Sequence, residues 1–327
     1  MNEASCMVSI LCTAYNHEAY IAQALESFVS QKTDFDFEVL VNDDLSTDNT
    51  AQIIRSYAEK YPGIIKPIFQ EKNLFSQGKC IYTEVFFPIC RGKYVAVCEG
   101  DDYWTDDTKL QRQVDFMEAH PDYSLCVHNT MLHYCDDTQA DRPLLSRGKD
   151  MELTLEDVIP GASKAYHTSS ILARTELISQ TPDFFWIAHR SGGFIDYAFA
   201  LWLSIRGRIH YIDRLMSVYR IGSGASAWST GVDHQYEKLI RFVSGELEML
   251  KALEKHVPEE KKELVRENVL EREFELMYLE GRDKEQRKPP YRAILRRQSF
   301  SYRVNNFIKC ALPGLHRLYR RKKGYTK

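Results

Sequence analysis

The sequence predicts an α/β fold built on a doubly wound, mostly parallel sheet, followed by a helical extension and a basic tail. Three observations carry that expectation. Short apolar runs alternate with helical stripes from residue 7 to residue 120. Several of those runs end abruptly in polar or acidic turns. After residue 230 the strand-like runs stop and charged helical patterning takes over. Strand-helix alternation implies parallel pairing, and right-handed crossovers place the turns after successive strands on one rim of the sheet.

Residues 7–13 are a strand candidate, and Ala14-Tyr15-Asn16-His17 is the polar turn after it. Ile21, Ala24, Leu25, Phe28 and Val29 recur at helical spacing, the stripe of a helix packed on one face. Residues 37–41 form a second strand running into Asn42-Asp43-Asp44-Leu45-Ser46-Thr47-Asp48. Ile53, Ile54, Tyr57, Ala58 and Tyr61 mark a second helix, stopped by Pro62-Gly63. A third strand over 64–69 contains Pro67, which argues for a sheet edge. Residues 77–90 look helical but contain Pro88. Leu110, Val114 and Met117 mark a further helix, 124–133 a strand, and 135–150 a polar surface loop. Thr154 with Asp157 resembles a capping box. Residues 169–173 are strand-like, 191–196 a loop feeding the apolar helix 197–205, 216–221 a last strand, and 222–226 a flexible loop. From 233 to 285 the pattern suggests a helical hairpin, closed by Pro289-Pro290. The resulting division is 1–230, 231–286 and 287–327.

The chemistry concentrates in Lys93-Tyr94-Val95-Ala96-Val97-Cys98-Glu99-Gly100-Asp101-Asp102. A buried strand that ends in two adjacent carboxylates puts them where α/β sheets collect ligands, and paired carboxylates suit a hard divalent cation that shares a phosphate ligand. A solvated turn is the plain alternative, because Asp pairs are common in turns. Asp196, at the mouth of an apolar helix, reads equally as a capping aspartate and as a catalytic one.

The bulk numbers bound the rest. A chain of 327 residues with 44% hydrophobic content can bury a real core. Its first residues carry no basic leader region, and no apolar run approaches the roughly 18 to 20 residues needed to cross a bilayer, so the expected place is inside the cell. Eight cysteines without a C-x-x-C pair are expected to be reduced thiols. The net charge of −3 hides an asymmetry, since residues 287–327 hold 13 Lys or Arg and no Asp or Glu. The remaining 30 bases against 46 acids leave −16 on residues 1–286.

Three motifs in order, Val8-Ser9-Ile10-Leu11-Cys12-Thr13-Ala14-Tyr15-Asn16, then Glu38 through Asp48, then Gly92-Lys93-Tyr94 through Asp102, resemble those of the family 2 glycosyltransferases, over about residues 7 to 226. The resemblance implies a glycosyltransferase A fold that binds a nucleotide diphosphate sugar, usually a UDP-sugar, with Mg²⁺ or Mn²⁺. It implies that Thr13 and Tyr15 line the base pocket with Tyr15 stacking on the ring, and that Asp44 accepts from the uracil imide. Asp101 would hold the ribose or the metal's water shell, Asp102 would coordinate the metal, and Asp196 would be the catalytic base. The chain departs from the family at Ile195, where an acidic residue or glycine is usual, and at Leu45, where glycine is common. It departs again at Phe75-Ser76-Gln77-Gly78-Lys79, where the family often has a glycine-rich stretch.

The expected activity is a metal-dependent, inverting transfer of a hexose or N-acetylhexosamine to a saccharide or lipid-linked acceptor in surface polysaccharide synthesis. Weaker candidates for diphosphate or acceptor contact are Arg220, His167 and Trp104, whose plainer readings are an ion-paired arginine, a structural histidine and a buried tryptophan. Phe307, Ile308, Ala311, Leu312, Leu315, Leu318 and Tyr319 form an apolar stripe among basic residues, interrupted by Pro313. Such a segment suits an anionic membrane surface at the inner face of the cell, or else packs on the acidic body. No base-reading module is present, which sets nucleic acid aside. The glycine-rich, arginine- and lysine-bearing signature of a sugar-nucleotide nucleotidylyltransferase is absent after the first strand, which argues against that reading. A degenerate nucleotide-sugar-binding or scaffold protein of the same fold is the remaining rival.

Overall fold

The first apolar run folds as β1 (Val8–Ala14), and its stripe of Ile21, Ala24, Leu25 and Phe28 buries one face of α1 (Ile21–Val29). The computed structural model describes residues 6–161, 164–178, 186–187, 190, 195–223 and 235–311. Residues 191–194, the loop beyond Ser223, and the tail from Leu312 onward, with Pro313, Leu315, Leu318 and Tyr319, lie outside the described residues. The chain divides into two compact units, Met1–Val232 and Asp233–Lys327.

In the first unit, β2 (Phe37–Asp43), α2 (Thr50–Lys60), β3 (Ile65–Phe69) and β4 (Tyr94–Val97) complete the expected alternation. Further along come β5 (Tyr103–Trp104), α3 (Lys109–Ala119), β6 (Tyr123–Tyr134), β7 (Arg142–Pro143), β8 (Met151–Leu153), α4 (Leu155–Val158), β9 (Leu172–Arg174) and α5 (Thr175–Ile178). The unit closes with α6 (Ile195–Ser204) and β10 (Arg208–Ile221). The strand order is β3-β2-β1-β4-β9-β6-β10-β5, with β7 beside β6 and β8 beside β10. The long pairings β2–β3, β1–β2, β1–β4 and β6–β10 are all parallel. Pro67 does lie on an edge strand.

Three elements depart from the expectation. The run 169–173 yields a short turn, Thr168–Ser170, and then β9, which is antiparallel to both β4 and β6 and separates the parallel halves. The last strand begins at Arg208, because the polar Asp213-Arg214 pair falls at a register shift within a longer β10. The 77–90 region forms a single turn at Phe75–Gln77 and a π-helical turn at Tyr82–Phe86.

The main core lies on one face of the sheet, where Ile10, Cys12, Val39, Val41, Ala96 and Cys98 at alternate strand positions pack with Phe28, Trp104 and Met117. At the amino ends of the strands, Ser9 Oγ donates to Glu38 Oε1 (2.7 Å) and accepts from Gly92 N (2.9 Å), while Arg91 pairs with Glu38 (2.7 Å). That contact fastens three strands on the rim opposite the acidic turns.

The second unit holds α7 (Gln235–Leu253), α8 (Glu259–Leu279), α9 (Arg292–Arg297) and α10 (Phe300–Ala311). Val243 and Leu247 of α7 pack on Leu276 and Leu279 of α8, forming a helical hairpin with its own small core. Among the described residues no helix is long and apolar enough to cross a membrane.

Candidate active site

Because β1, β2 and β4 run parallel, the turns at their carboxyl ends share one rim. Asp44 N donates to Ala14 O and Gly100 N to Thr13 O, each at 2.9 Å, so both acidic turns are stitched to the end of β1. Gly100 permits this closeness, since a Cβ there would lie 2.9 Å from His17 Nδ1 and from Ile21 Cδ1. Asp102 N donates to Glu99 O at 3.1 Å and folds the turn on itself. Glu99, Asp101 and Asp102 thereby each present an oxygen within 4.8 Å of the others.

Three carboxylates so close and so buried resist ionising together. Burial, and then Asp101 and Asp196, push the Glu99 carboxyl up. Burial, then Asp101 and Glu99, push Asp102 up as well, against the pull of Arg220. Asp102 Oδ1 accepts from Arg220 N at 3.0 Å, but its buried Oδ2 has no hydrogen-bond partner. A buried, unpartnered carboxylate oxygen among hard oxygen donors fits a divalent cation, which would both neutralise the cluster and satisfy that oxygen. Glu99 was not among the residues the sequence singled out. Its signal was its position two before Asp101 in the same tight turn.

Arg220 of β10 is 7% exposed, and its guanidinium donates to Asp101 O and Gln23 Oε1. The Tyr103 and Tyr20 rings cover it at 4.5 and 5.0 Å, and Tyr20 OH donates to Ser223 O. These contacts make it a strut beneath the acidic turn. His167 opens the Thr168–Ser170 turn, where its Nδ1 accepts from Ser169 N at 3.3 Å and lies 3.8 Å from Asp102 Oδ2. A backbone N–H only donates, so the ring proton belongs on Nε2. Burial lowers the His167 pKa to about 3 and keeps the ring neutral. It stacks on Tyr219 with centroids 4.1 Å apart. Burial, then Asp102, Glu99, Asp101 and Asp196, hold the Tyr219 phenol protonated, so this ring belongs to the carboxylate cluster. The sequence reading passed over Tyr219, although it sits beside Arg220 on the last strand.

Asp196 lies in the first turn of α6, a helix buried on nearly every side. Its Oδ1 accepts from Tyr197 N at 2.8 Å, and burial raises its pKa to about 6. Glu99 feels its charge, which brings it to the same group of carboxylates.

Thr13 is half-buried at the end of β1, and Tyr15 beyond it is 44% exposed. Asp44 is buried, with Oδ1 accepting from Leu74 N (2.7 Å) and Oδ2 from Phe75 N (3.0 Å). Its neighbour Asp43, also unflagged by the sequence, keeps a buried Oδ1 without a hydrogen-bond partner. Leu45 adopts φ 64°, the left-handed region that glycine enters freely. Trp104 is 4% exposed, its Nε1 donates to Ser169 O at 2.9 Å, and its ring meets Phe28 edge-on and Lys109 Nζ face-on. That is the buried state named above as the alternative to a sugar platform.

Residues 9–182 match the model of glycosyl transferase family 2. An uncharacterised protein of Mycobacterium tuberculosis is 40% identical over 147 residues, 45% of this chain and 42% of its own length. The Escherichia coli UDP-Glc:alpha-D-GlcNAc-diphosphoundecaprenol beta-1,3-glucosyltransferase WfaP is 35% identical over 113 residues, 35% of this chain and 42% of its own. The chain thus spans less than half the length of these curated relatives. Among solved structures, S. aureus TarS 1-349 in complex with UDP-GlcNAc superposes with a TM-score of 0.56 at 20% identity, covering 84% of this chain and 81% of that one. The mannosyltransferase PcManGT from Pyrobaculum calidifontis in complex with GDP-Man and Mn²⁺ gives 0.52 at 16%, covering 93% and 84%. Likeness at that identity shows a shared fold, the glycosyltransferase A type expected from the sequence. With the family match, over residues 9–182, running through the turn after the first strand and both acidic turns of the rim and over more than half of the chain, the chain belongs to glycosyl transferase family 2.

Proposed function

We propose that the protein is a metal-dependent inverting glycosyltransferase that moves a hexose or N-acetylhexosamine from a nucleotide diphosphate sugar, of the UDP class, to a saccharide or lipid-linked acceptor in surface polysaccharide synthesis. The observation that carries this reading is the Glu99-Asp101-Asp102 cluster with its buried, unpartnered Asp102 Oδ2. The TarS and PcManGT complexes, which pair this fold with UDP-GlcNAc and with GDP-Man and Mn²⁺, support it. Catalysis belongs to residues 1–230, while 231–286 form a helical extension and 287–327 a basic segment that keeps the enzyme at the inner face of a membrane.

In this reading Tyr15, exposed at the rim, stacks on the base beside Thr13. Asp44 accepts the imide proton, because each of its oxygens keeps a second lone pair after accepting a backbone N–H. Asp101 holds the ribose, and Asp102 with Glu99 holds the cation. A bound Mg²⁺ or Mn²⁺ would neutralise the charge that develops on the departing diphosphate. The acceptor hydroxyl attacks the anomeric carbon from the face opposite the diphosphate, the carbon–phosphate-oxygen bond breaks, and Asp196 takes the hydroxyl proton. Arg220 braces the acidic turn from behind, and the neutral His167–Tyr219 pair offers hydroxyl partners to a sugar.

A panel of UDP, GDP, dTDP and CMP, each with and without Mn²⁺, tests the donor class by thermal shift. A ligand at a hundredfold excess over its dissociation constant adds about 2.7 kcal/mol of apparent stability. A shift with UDP that requires Mn²⁺ is expected, and no shift with any nucleotide would sink the reading. The degenerate binding protein is favoured by one observation, that Asp196 Oδ1 is already occupied by Tyr197 N. UDP-sugar hydrolysis or transfer that disappears in Asp196→Asn, with the nucleotide shift retained, eliminates it.

A further inference from the structure

Helix α10 turns one side inward and leaves the other uncovered. Asn306 is 2% exposed and its amide donates to Gln286 Oε1 at 2.7 Å, while Tyr302 packs against Tyr278 and Phe274. On the outer side Phe300 is 75% exposed, Phe307 55%, and Val304 and Ile308 38% each. Their spacing of four, three and one aligns them on a single helical stripe. Phe300, Arg303, Val304 and Phe307 line a shallow groove of about 280 Å³.

The charge around this stripe has one sign. Arg292, Arg296, Arg297 and Arg303 are exposed, and none makes an ion pair with a described residue. Arg287 lies over the Phe307 ring at 5.4 Å. No Asp or Glu occurs from residue 287 to the end of the chain. A self-contact through this face would press two sets of unpaired arginines together, and a nucleic acid, whose bases can stack on phenylalanine, offers no partner for the aliphatic Val304 and Ile308. An apolar interior beneath an anionic surface matches both features at once.

We propose that α10 is a membrane-docking helix that inserts Phe300, Val304, Phe307 and Ile308 into an anionic lipid bilayer while the flanking arginines meet phosphate headgroups. The assignment rests on the lipid-linked acceptor reading for its purpose, since a transferase whose acceptor is anchored in a bilayer works at that surface. Its test uses neither donor nor acceptor, so the two can fail separately.

The full-length protein is sedimented with vesicles of phosphatidylcholine alone and of phosphatidylcholine mixed with phosphatidylglycerol, at low and high salt. Binding to the mixed vesicles only, weakened by salt, is expected. Phe300→Ser with Phe307→Ser should weaken it about tenfold or more. Arg296→Gln with Arg297→Gln should weaken it roughly fivefold per charge removed. The four side chains are exposed, so both variants should keep the parent's melting temperature and nucleotide shift. Equal binding to both vesicle types, or binding indifferent to both variants, overturns the proposal. So does self-association in sedimentation velocity that the phenylalanine variant abolishes while no vesicle binds. A normal UDP shift without vesicle binding overturns the docking helix alone, and vesicle binding without a UDP shift overturns the donor reading alone.

Discussion

As the proposed base, Asp196 would set the pH range in which transfer can run. Burial holds its carboxyl near pH 6, well above the ordinary aspartate range, and a base must be ionised to accept a proton. The rate with saturating metal is therefore expected to rise with pH through about 6 and then level off, and a profile flat from pH 5 to 7 would remove Asp196 from that role. Asp196→Asn should lower turnover by about 10² to 10⁴ while leaving nucleotide binding intact. Leu45 is a different kind of residue, one that the backbone strains without any visible gain. Its φ of 64° costs about 1 to 2 kcal/mol for a side-chain-bearing residue. Leu45→Gly is expected to raise stability in urea melts by up to about 1 kcal/mol, after the larger entropy that glycine loses on folding is subtracted. Its side chain is 44% exposed, so little packing is lost with it.

At the scale of elements, the strands of the catalytic unit depend on a fastening far from the chemistry. A Cβ on Gly92 would fall 2.3 Å from Ser9 N and 2.5 Å from Tyr94 O, both backbone atoms that cannot step aside. Gly92→Ala should cost about 3 kcal/mol in denaturant melts and reduce the yield of folded protein, with the nucleotide affinity of the surviving fraction unchanged. The elements also show where sequence reasoning succeeds. β1, β2 and β4 were legible because each is a short apolar run ended by polar residues, and parallel pairing then forced their turns together. β9 was not legible as an antiparallel insertion, because three residues, Leu172, Ala173 and Arg174, carry no directional signal. β10 was cut short because the polar Asp213-Arg214 pair looks like a break, whereas the strand carries it at a register shift. Within the site, adjacent acids in a motif were visible, but Tyr219 joins them only through the β6–β10 pairing, and Glu99 only through the fold of its own turn.

For the molecule as a whole, the buried acidic rim costs stability where its carboxyls must ionise. Glu99 in the folded protein keeps its proton up to about pH 8, while the unfolded chain releases it near 4.5. The folded state therefore loses ground as pH rises from 4.5 toward 8, and below 4.5 the carboxyl costs nothing. Lys109, which burial lowers to about 7, titrates in the same span, as does His167 once unfolded, so the comparison that isolates Glu99 is between the parent and Glu99→Gln. Without metal, Glu99→Gln is expected to match the parent near pH 4.5 and to exceed it by about 1 to 2 kcal/mol at pH 8. Saturating Mn²⁺ should narrow that gap by stabilising the parent more. A constant difference across the pH range would mean that Glu99 bears no such load.

The central sheet also contains its own clock. Cys12 lies in β1 one residue before Thr13, and Cys98 follows β4 one residue before Glu99. Both are free, fully buried thiols, and burial pushes both well away from the reactive thiolate. An alkylating reagent can reach them only when the strands part, so the rate of their modification counts openings of the sheet beneath the acidic turns. A ligand that binds those turns in the folded state is expected to make such openings rarer. The slowing of thiol capture then measures the grip of donor and metal on the scaffold, with no need to know which sugar is carried or where it goes.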